Sequence, residues 1–238
     1  MKKILLFLFV AMSIKSFALW ETVKGNGILK SEKREISGYT ALANSGPFLV
    51  DISYGTGNAV EVEADENILP YVETKLKDNK LVIRVKDYAN LKPQHDIKIH
   101  VTMTKITGLD QSGSGRITGE GNFTNDGKTV IRISGSGELK LGIGSFASAE
   151  VLLSGSGNAE LSGTINGKLD IAQSGSGHIN AEHFPAETIE VKISGSGTSR
   201  VNAVQYLHVR ISGSGHVYYT GVQQYDSNIS GSGSVSRI

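Results

Sequence analysis

Apolar and polar residues alternate on both sides of a Ser-Gly-Ser-Gly tetrapeptide, and this unit recurs seven times in the second half of the chain. The copies are 18 to 22 residues apart and start at Ser112, Ser134, Ser154, Ser174, Ser194, Ser212 and Ser230. Apolar residues stand mostly three and one positions before each copy and five and seven positions after it, as at Val191, Ile193 and Val201. Alternation with a period of two predicts strands with one buried face.

A third apolar segment lies in the remaining ten or so residues of each repeat. It is marked by Ile143 and Phe146, Ile165, Phe184, Val204 and Val222. Three short strands in constant order predict an all-β fold, a parallel β-helix (β-solenoid) with coils of about 20 residues and Ser-Gly-Ser-Gly corners. Parallel crossovers favour a right-handed coil. An ordinary β-sandwich is the alternative.

The tetrapeptide itself follows the same alternation. Its glycines fall on the inward positions and its serines on the outward ones, which predicts two ladders of serine hydroxyls along one edge. A corner that breaks the alternation would instead turn one serine ladder inward. The sequence leaves both arrangements open.

The start of the chain has the pattern of an export signal. Lys2 and Lys3 precede the apolar run 4–12, and small residues follow near Ala18. After signal removal we expect no membrane insertion, since no later stretch reaches the about 20 apolar residues that span a bilayer. The chain is thus divided into a signal peptide at 1–18, a divergent N-terminal β layer at 19–107 and a regular β-helix at 108–238.

The N-terminal layer is less regular than the repeats but still has the character of strands. Four stretches fit strands, at 48–52, 60–62, 80–86 and 97–103. The segment 65–78 is the one candidate helix, because it begins with acidic residues, as helices often do, and contains Pro70.

Composition narrows the functional classes. The chain has no cysteine, which excludes disulfides and a lipid-attachment cysteine, and its formal net charge of +1 gives no reason to expect a nucleic-acid partner. The histidines have no metal-ligand spacing, and no cofactor is expected from the motifs.

One outward column is charged in successive repeats, four residues before the tetrapeptide. It holds Glu150, Asp170, Glu190, His208 and Asp226. A solvated face with interleaved charges is the simpler interpretation, because Arg132, Lys192 and Arg210 stand two residues further on. The functional interpretation is a calcium strip formed by the four carboxylates.

Tyrosines gather in the last three repeats, at Tyr206, Tyr218, Tyr219 and Tyr225. Such rings on a flat β-face form platforms for sugars or protein partners. They also serve to pack the end of a solenoid, whose interior has to be covered. The sequence shows no capping segment after the last repeat, so we expect this end to be a surface for homo-oligomerisation.

The run 60–87 (VEVEADENILPYVETKLKDNKLVIRVKD), followed by the tetrapeptide array, resembles the head GIN domain family. The segments 23–27 (VKGNG) and 35–39 (EISGY) are similar to the start of that family. Its members are exported bacterial proteins described as "putative autotransporter adhesins". The resemblance implies a β-helical exported protein with an adhesin-type role.

These observations predict a non-enzymatic, adhesin-like protein that presents flat β-helix faces to cell-surface or extracellular carbohydrate or protein. The alternative is a periplasmic structural protein that self-associates. A polysaccharide-active β-helix enzyme is less favoured, because no acidic residue stands out by its local context. The predicted location is outside the cytoplasm, with the periplasm, the cell surface and secretion all left open.

Overall fold

The computed structural model describes residues 21–238, and within this range the chain is built almost entirely of β-strands. The predicted signal peptide at 1–18 lies outside the described residues. The strands of the N-terminal part are β1 (Glu21–Lys24), β2 (Leu29–Arg34), β3 (Ala41–Ser45), β4 (Leu49–Tyr54), β5 (Ala59–Asp65), β6 (Val72–Lys77), β7 (Lys80–Val85), β8 (Ala89–Lys92) and β9 (Lys98–Met103).

The C-terminal part winds into stacked parallel coils. Its strands are β10 (Gly108–Gly113), β11 (Arg116–Glu120), β12 (Thr124–Gly135), β13 (Glu138–Gly155), β14 (Asn158–Gly175), β15 (His178–Gly195), β16 (Thr198–Gly213), β17 (His216–Gly221), β18 (Asp226–Ser230) and β19 (Ser234–Arg237). Equivalent residues of neighbouring repeats pair in register, so Ser154 lies between Ser134 and Ser174. The predicted all-β parallel solenoid with coils of about 20 residues is confirmed.

Each regular coil is one long strand rather than three short ones. β13, β14 and β15 have 18 residues each and run from one tetrapeptide to the next. The bends away from the tetrapeptide are made by register shifts, such as those between Gly142 and Ser145 and between Phe146 and Ala149. The tetrapeptide is therefore the only corner at which the regular strands of residues 124–213 are interrupted.

The N-terminal layer extends the stack and then closes it. β3 and β4 pair in parallel with β10 and β11 on one side and with β7 and β9 on the other. Beyond these strands the pairing turns antiparallel, with β6 on β7, β5 on β9 and β2 on β5. The four stretches expected to be strands overlap β4, β5, β7 and β9.

The helix expected at 65–78 does not form. Only a 3-10 turn at Leu69–Tyr71 is helical, and β6 takes up the rest of the segment. β6 forms a hairpin with β7 through a turn in which Asp78 and Asn79 have positive φ angles. Cross-strand pairing thus outweighs the helical preference of the acidic start.

The interior is one continuous apolar core that reaches from Val23 to Val222. The inward residues around the first six tetrapeptides are buried as expected, apart from the half-buried Gly119, and Gln111 and Gln173 are among the buried ones. The expectation that Val204 points into the core is wrong, because its side chain is 58% exposed and Ala203 fills the interior instead. The register shifts in this coil, where Ala186 lies opposite Ala203, account for the difference.

The tetrapeptide corner departs from simple alternation. Its second glycine is buried, as at Gly177, but its first glycine lies near the surface with a positive φ angle, as at Gly175 (112°). The inward placement expected for both glycines is therefore wrong for the first one, because the left-handed backbone turns the chain at this position. All serines of the seven copies are exposed, so both ladders face outward.

Candidate functional site

Two outer faces border the tetrapeptide corner, and each repeats the same outward positions coil after coil. Face A consists of the segments that lead into each tetrapeptide, at 108–112, 130–134, 150–154, 170–174, 190–194, 208–212 and 226–230. Face B consists of the segments that follow it, at 116–120, 138–142, 158–162, 178–182, 198–202, 216–220 and 234–237. Neighbouring strands lie about 4.8 Å apart, so outward side chains form columns.

A groove of about 760 Å³ runs along face A beside the first serine ladder. Leu152 and Ala172 form an apolar floor at the outward position two residues before the tetrapeptide. The same position carries Arg132 in the coil on one side, and Lys192 and then Arg210 on the other. The groove is therefore a shallow apolar strip between basic ends.

The predicted charged column lies on face A, with its members in adjacent coils. Glu150 is in register with Asp170, which is in register with Glu190, and His208 lies between Glu190 and Asp226. Nitrogen-bearing side chains accompany the carboxylates, since the Lys128 ammonium lies 2.9 Å from Glu150 and the His208 ring lies 3.5 Å from Asp226.

Glu190 is the centre of the strongest charge cluster. Lys168 Nζ lies 2.6 Å from Asp170 and 2.9 Å from Glu190, so it bridges two coils. Lys192 at 2.8 Å and Arg210 at 2.6 Å also bind Glu190. Hydrogen bonds from Lys192 and Lys168 lower the pKa of Glu190 to about 2, against burial, which raises it.

The predicted calcium strip can be compared with the contacts that its carboxylates make. Calcium takes six to eight oxygen ligands, whereas the Glu190 oxygens already accept hydrogen bonds from cationic side chains. Among residues 21–238, no three His, Cys, Asp or Glu side chains lie close enough to share a metal ion. Calcium binding by Glu150, Asp170, Glu190 and Asp226 stays a prediction.

A second groove, of about 580 Å³, lies on face B and has a different chemistry. Its centre is formed by two rows of polar side chains in adjacent coils. We call this set the face-B groove; it comprises Asn158, His178 and Thr198 in one row and Asn180, Arg200 and Tyr218 in the other. The guanidinium carbon of Arg200 lies 5.0 Å from the centroid of the Tyr218 ring.

The four predicted tyrosines do not form one platform. Tyr218 is half-buried in the face-B groove, and Tyr206 lies in another part of the coil, opposite Thr188, with 60% of its surface exposed. Tyr219 is buried, and its ring packs 5.0 Å from that of Tyr225. This pair matches the end-coil packing interpretation, and ligand binding by the tyrosines stays a prediction.

The polar set around Arg200 did not emerge from the sequence. Each of its members stands four or six residues after the first serine of its repeat, so repeat alignment alone would have grouped them. The repeat alignment does not show which outward charged side chains form ion pairs with side chains in adjacent coils. The signal that could have identified this site is the scarcity of acidic residues at these two repeat positions, which hold mainly Asn, His, Thr, Arg and Tyr side chains.

Solved structures share this fold. A structure described as a putative adhesin from Bacteroides fragilis NCTC 9343 has a TM-score of 0.81 and 20% identity, covering 91% of this chain and 100% of that chain. One described as a putative lipid binding protein from Parabacteroides distasonis ATCC 8503 has a TM-score of 0.76 and 24% identity, covering 92% and 100%. At these identities the likeness shows the fold alone.

Comparison with curated proteins gives no match. Within residues 21–238, none of the helical segments has the length and apolar character that a membrane-spanning helix requires. The family model described as "Putative auto-transporter adhesin, head GIN domain" matches residues 38–222, which is most of the sequence. The chain therefore belongs to the head GIN domain family.

Proposed function

We propose that this protein is an exported, non-enzymatic binding protein that holds extended ligands along its β-helix faces. The observation that carries the proposal is the register of the coils, which repeats outward side chains along two long grooved faces. The ligands would be carbohydrates or proteins of cell surfaces or of the extracellular space. The adhesin description of the family supports export and surface binding.

Repeated weak contacts are the physical basis of such binding. A shallow face offers each sugar or peptide unit only a few hydrogen bonds, so the affinity for one unit is small. Units linked in one chain bind successive coils at a high effective concentration, and their combined affinity exceeds that of any single contact.

The charges on face A favour binding over hydrolysis. Glycoside hydrolysis requires a carboxylic acid with a raised pKa beside a second carboxylate. Glu190 and Asp170 are neighbours, but the lysine ammonium groups beside them lower the pKa of Glu190 to about 2. A carboxylate in this state is a poor proton donor at neutral pH.

The proposal is tested by retention of the purified protein on a panel of immobilised bacterial and host polysaccharides and matrix proteins, with and without calcium. We expect saturable retention that the free ligand competes away, with no release of cleavage products. Retention that depends on calcium would support the predicted strip of carboxylates. Absence of retention on every surface would contradict the binding function.

A second candidate function is self-association, and it is supported by the C-terminal strand edges. Within the described chain, β18 pairs only with β16, and β19 pairs only with β17. Ile229 and Ile238 are 39% and 50% exposed beside these edges. Unpaired strand edges with apolar side chains favour pairing with another chain.

Analytical ultracentrifugation distinguishes self-association from a monomeric binding protein. If the edges associate, the protein sediments as a concentration-dependent oligomer, and I229K shifts it to the monomer. The matched control is V204K, which places a charge at an exposed apolar residue away from the edge. A wild-type protein that stays monomeric at high concentration would contradict this candidate.

A further inference from the structure

We infer that the face-B groove binds an acidic polysaccharide, with the Arg200 guanidinium on a sugar carboxylate. This inference rests on the proposed binding function and specifies its site and ligand class.

Arg200 differs from most other arginines of the described chain in having no carboxylate partner. Carboxylates pair with the guanidinium groups of five of the six others, and Arg237 donates a hydrogen bond to Gln223. The five are Arg34, Arg84, Arg116, Arg132 and Arg210. Within residues 21–238, no carboxylate lies within ion-pair distance of Arg200. Its planar fork of donors is therefore free for a ligand carboxylate, which is the group it fits best.

The guanidinium is also held in place. It lies over the Tyr218 ring of the next coil at 5.0 Å, and stacking of this kind restricts a side chain that would otherwise be mobile. The coil beyond Tyr218 carries the small Ser236 at the same register position. A positioned donor loses less entropy on binding than a free one.

The groups around Arg200 suit sugar hydroxyls. Asn180 lies beside Arg200 in the same row, and Thr198, His178 and Asn158 form the parallel row. Amide, hydroxyl and imidazole groups both donate and accept hydrogen bonds, as sugar hydroxyls do. Ile179 in the middle of the groove is buried, so the exposed groups are polar and favour a hydroxyl-rich ligand over a peptide with apolar side chains.

Charge orients the ligand along the groove. The acidic residues at the opposite end are neutralised, since Arg116 lies 2.7 Å from Glu138 and Lys140 lies 3.0 Å from Glu160. The free positive charge is thus at the Arg200 end. The volume of about 580 Å³ lies within the usual range for binding sites of small molecules.

The experiment measures binding of the protein to polygalacturonate in a calcium-free buffer with EDTA, at fixed ionic strength. Highly methyl-esterified pectin has the same sugar backbone without most of the charge and serves as the ligand control. R200Q removes the free charge. K77Q changes the net charge by the same amount at an exposed lysine of β6 that lines neither groove, and serves as the protein control.

We expect the wild-type protein to bind polygalacturonate more tightly than the ester, and R200Q to weaken that binding about tenfold or more. K77Q should leave it unchanged, and both variants should keep the thermal midpoint of the wild type, because both side chains are exposed and neither forms an ion pair within the described residues. Equal weakening by both variants would mean non-specific attraction and would overturn the inference. Binding of poly-glutamate as tight as that of polygalacturonate would overturn the carbohydrate assignment.

The two proposals fail in different ways. If the protein binds members of the retention panel but R200Q binds them as the wild type does, the face-B groove is not the site and the binding function stands. If the protein binds polygalacturonate no better than the ester, the acidic ligand is wrong. If it binds nothing on the panel, the proposed function itself is overturned.

Discussion

Single glycines determine how closely the coils stack. At Gly195 the φ angle is 122°, and a Cβ atom there would lie 2.6 Å from the carbonyl oxygen of Gly175 in the adjacent coil. The backbone conformation disfavours a side chain, and so does the lack of space. The first glycine of the repeat is therefore required for two independent reasons.

We predict that G195A destabilises the protein strongly. The backbone strain costs about 1–3 kcal/mol, and the overlap with the adjacent coil costs a similar amount. The control is S194A, which removes an exposed hydroxyl next to the same glycine. The urea midpoint measures both variants, and a G195A midpoint equal to that of S194A would contradict the stacking argument.

The charge cluster around Glu190 predicts a pH dependence. Because the folded pKa of about 2 lies below the ordinary value of 4.5, ionised Glu190 stabilises the fold above about pH 4.5, and this stabilisation is lost as the pH falls towards 2. In E190Q, Lys168, Lys192 and Arg210 lose their shared anion.

We therefore expect E190Q to be less stable than the wild type by about 1–2 kcal/mol at pH 7. The difference should shrink between pH 4.5 and 2, because the wild-type carboxylate becomes protonated in that range. Denaturation at a series of pH values measures it. A difference that stays constant down to pH 2 would show that the carboxylate charge is not the cause.

Among the secondary-structure elements, the N-terminal strands are held together by Asp65. It ends β5, is completely buried and accepts hydrogen bonds from the Gln94 backbone at 2.6 Å and from His95 Nδ1 at 2.7 Å. Gly25, next to the end of β1, packs against the same carboxylate. Burial raises the pKa of Asp65, but the hydrogen bonds, led by that of His95, outweigh it and lower the pKa overall.

D65N should loosen the β1–β8 pair while leaving the regular coils intact, because an amide cannot accept all of these hydrogen bonds as a carboxylate does. We expect faster amide exchange in β1 and β8 and unchanged exchange in β14 and β15. D126N, at an exposed aspartate, is the control. The effect should fade at low pH, where protonation removes the charge of Asp65 in the wild type as well. Unchanged exchange in β1 at neutral pH would contradict the role of Asp65.

The sequence predicted strands well wherever a regular period was present. Alternation fixes which side of a strand is buried, so nearly all inward residues around the first six tetrapeptides were placed correctly, whereas Ser227 and Ile229 before the last one are exposed. The segment 65–78 was misjudged, because its partner strand β7 is supplied by tertiary pairing and not by local preference. Val204 was misplaced because a two-residue shorter coil moves the register by an amount that alternation does not reveal.

For the whole molecule, the prediction succeeded for the architecture and only partly for the surface. The charged column on face A could be read from the repeat, since equivalent positions stack. The face-B groove could not be identified from the repeat. Its defining feature is that Arg200 has no carboxylate partner, whereas Arg210 pairs with Glu190. Whether a charge is satisfied depends on side chains in adjacent coils and on their conformations, which the period does not specify.

The asymmetry of the two ends is also a property of the whole molecule. At the N-terminal end, the antiparallel strands β2, β5 and β6 cover the stack. At the C-terminal end, Tyr219 and Tyr225 pack together, and among residues 21–238 β18 and β19 each pair with one strand only. β18 and β19 are also the last strands of faces A and B, so association at this edge and binding along the faces are tested with separate variants, I229K and R200Q.

The central claim is that ligands bind along several coils at once. The most direct test is calorimetric titration of the protein with oligogalacturonates of increasing length, with neutral cello-oligosaccharides as a second series. We predict that affinity rises with length until the oligosaccharide spans the stacked coils and then becomes constant. No binding in either series would overturn the acidic carbohydrate as the ligand, and affinity that does not depend on length would contradict binding along several coils.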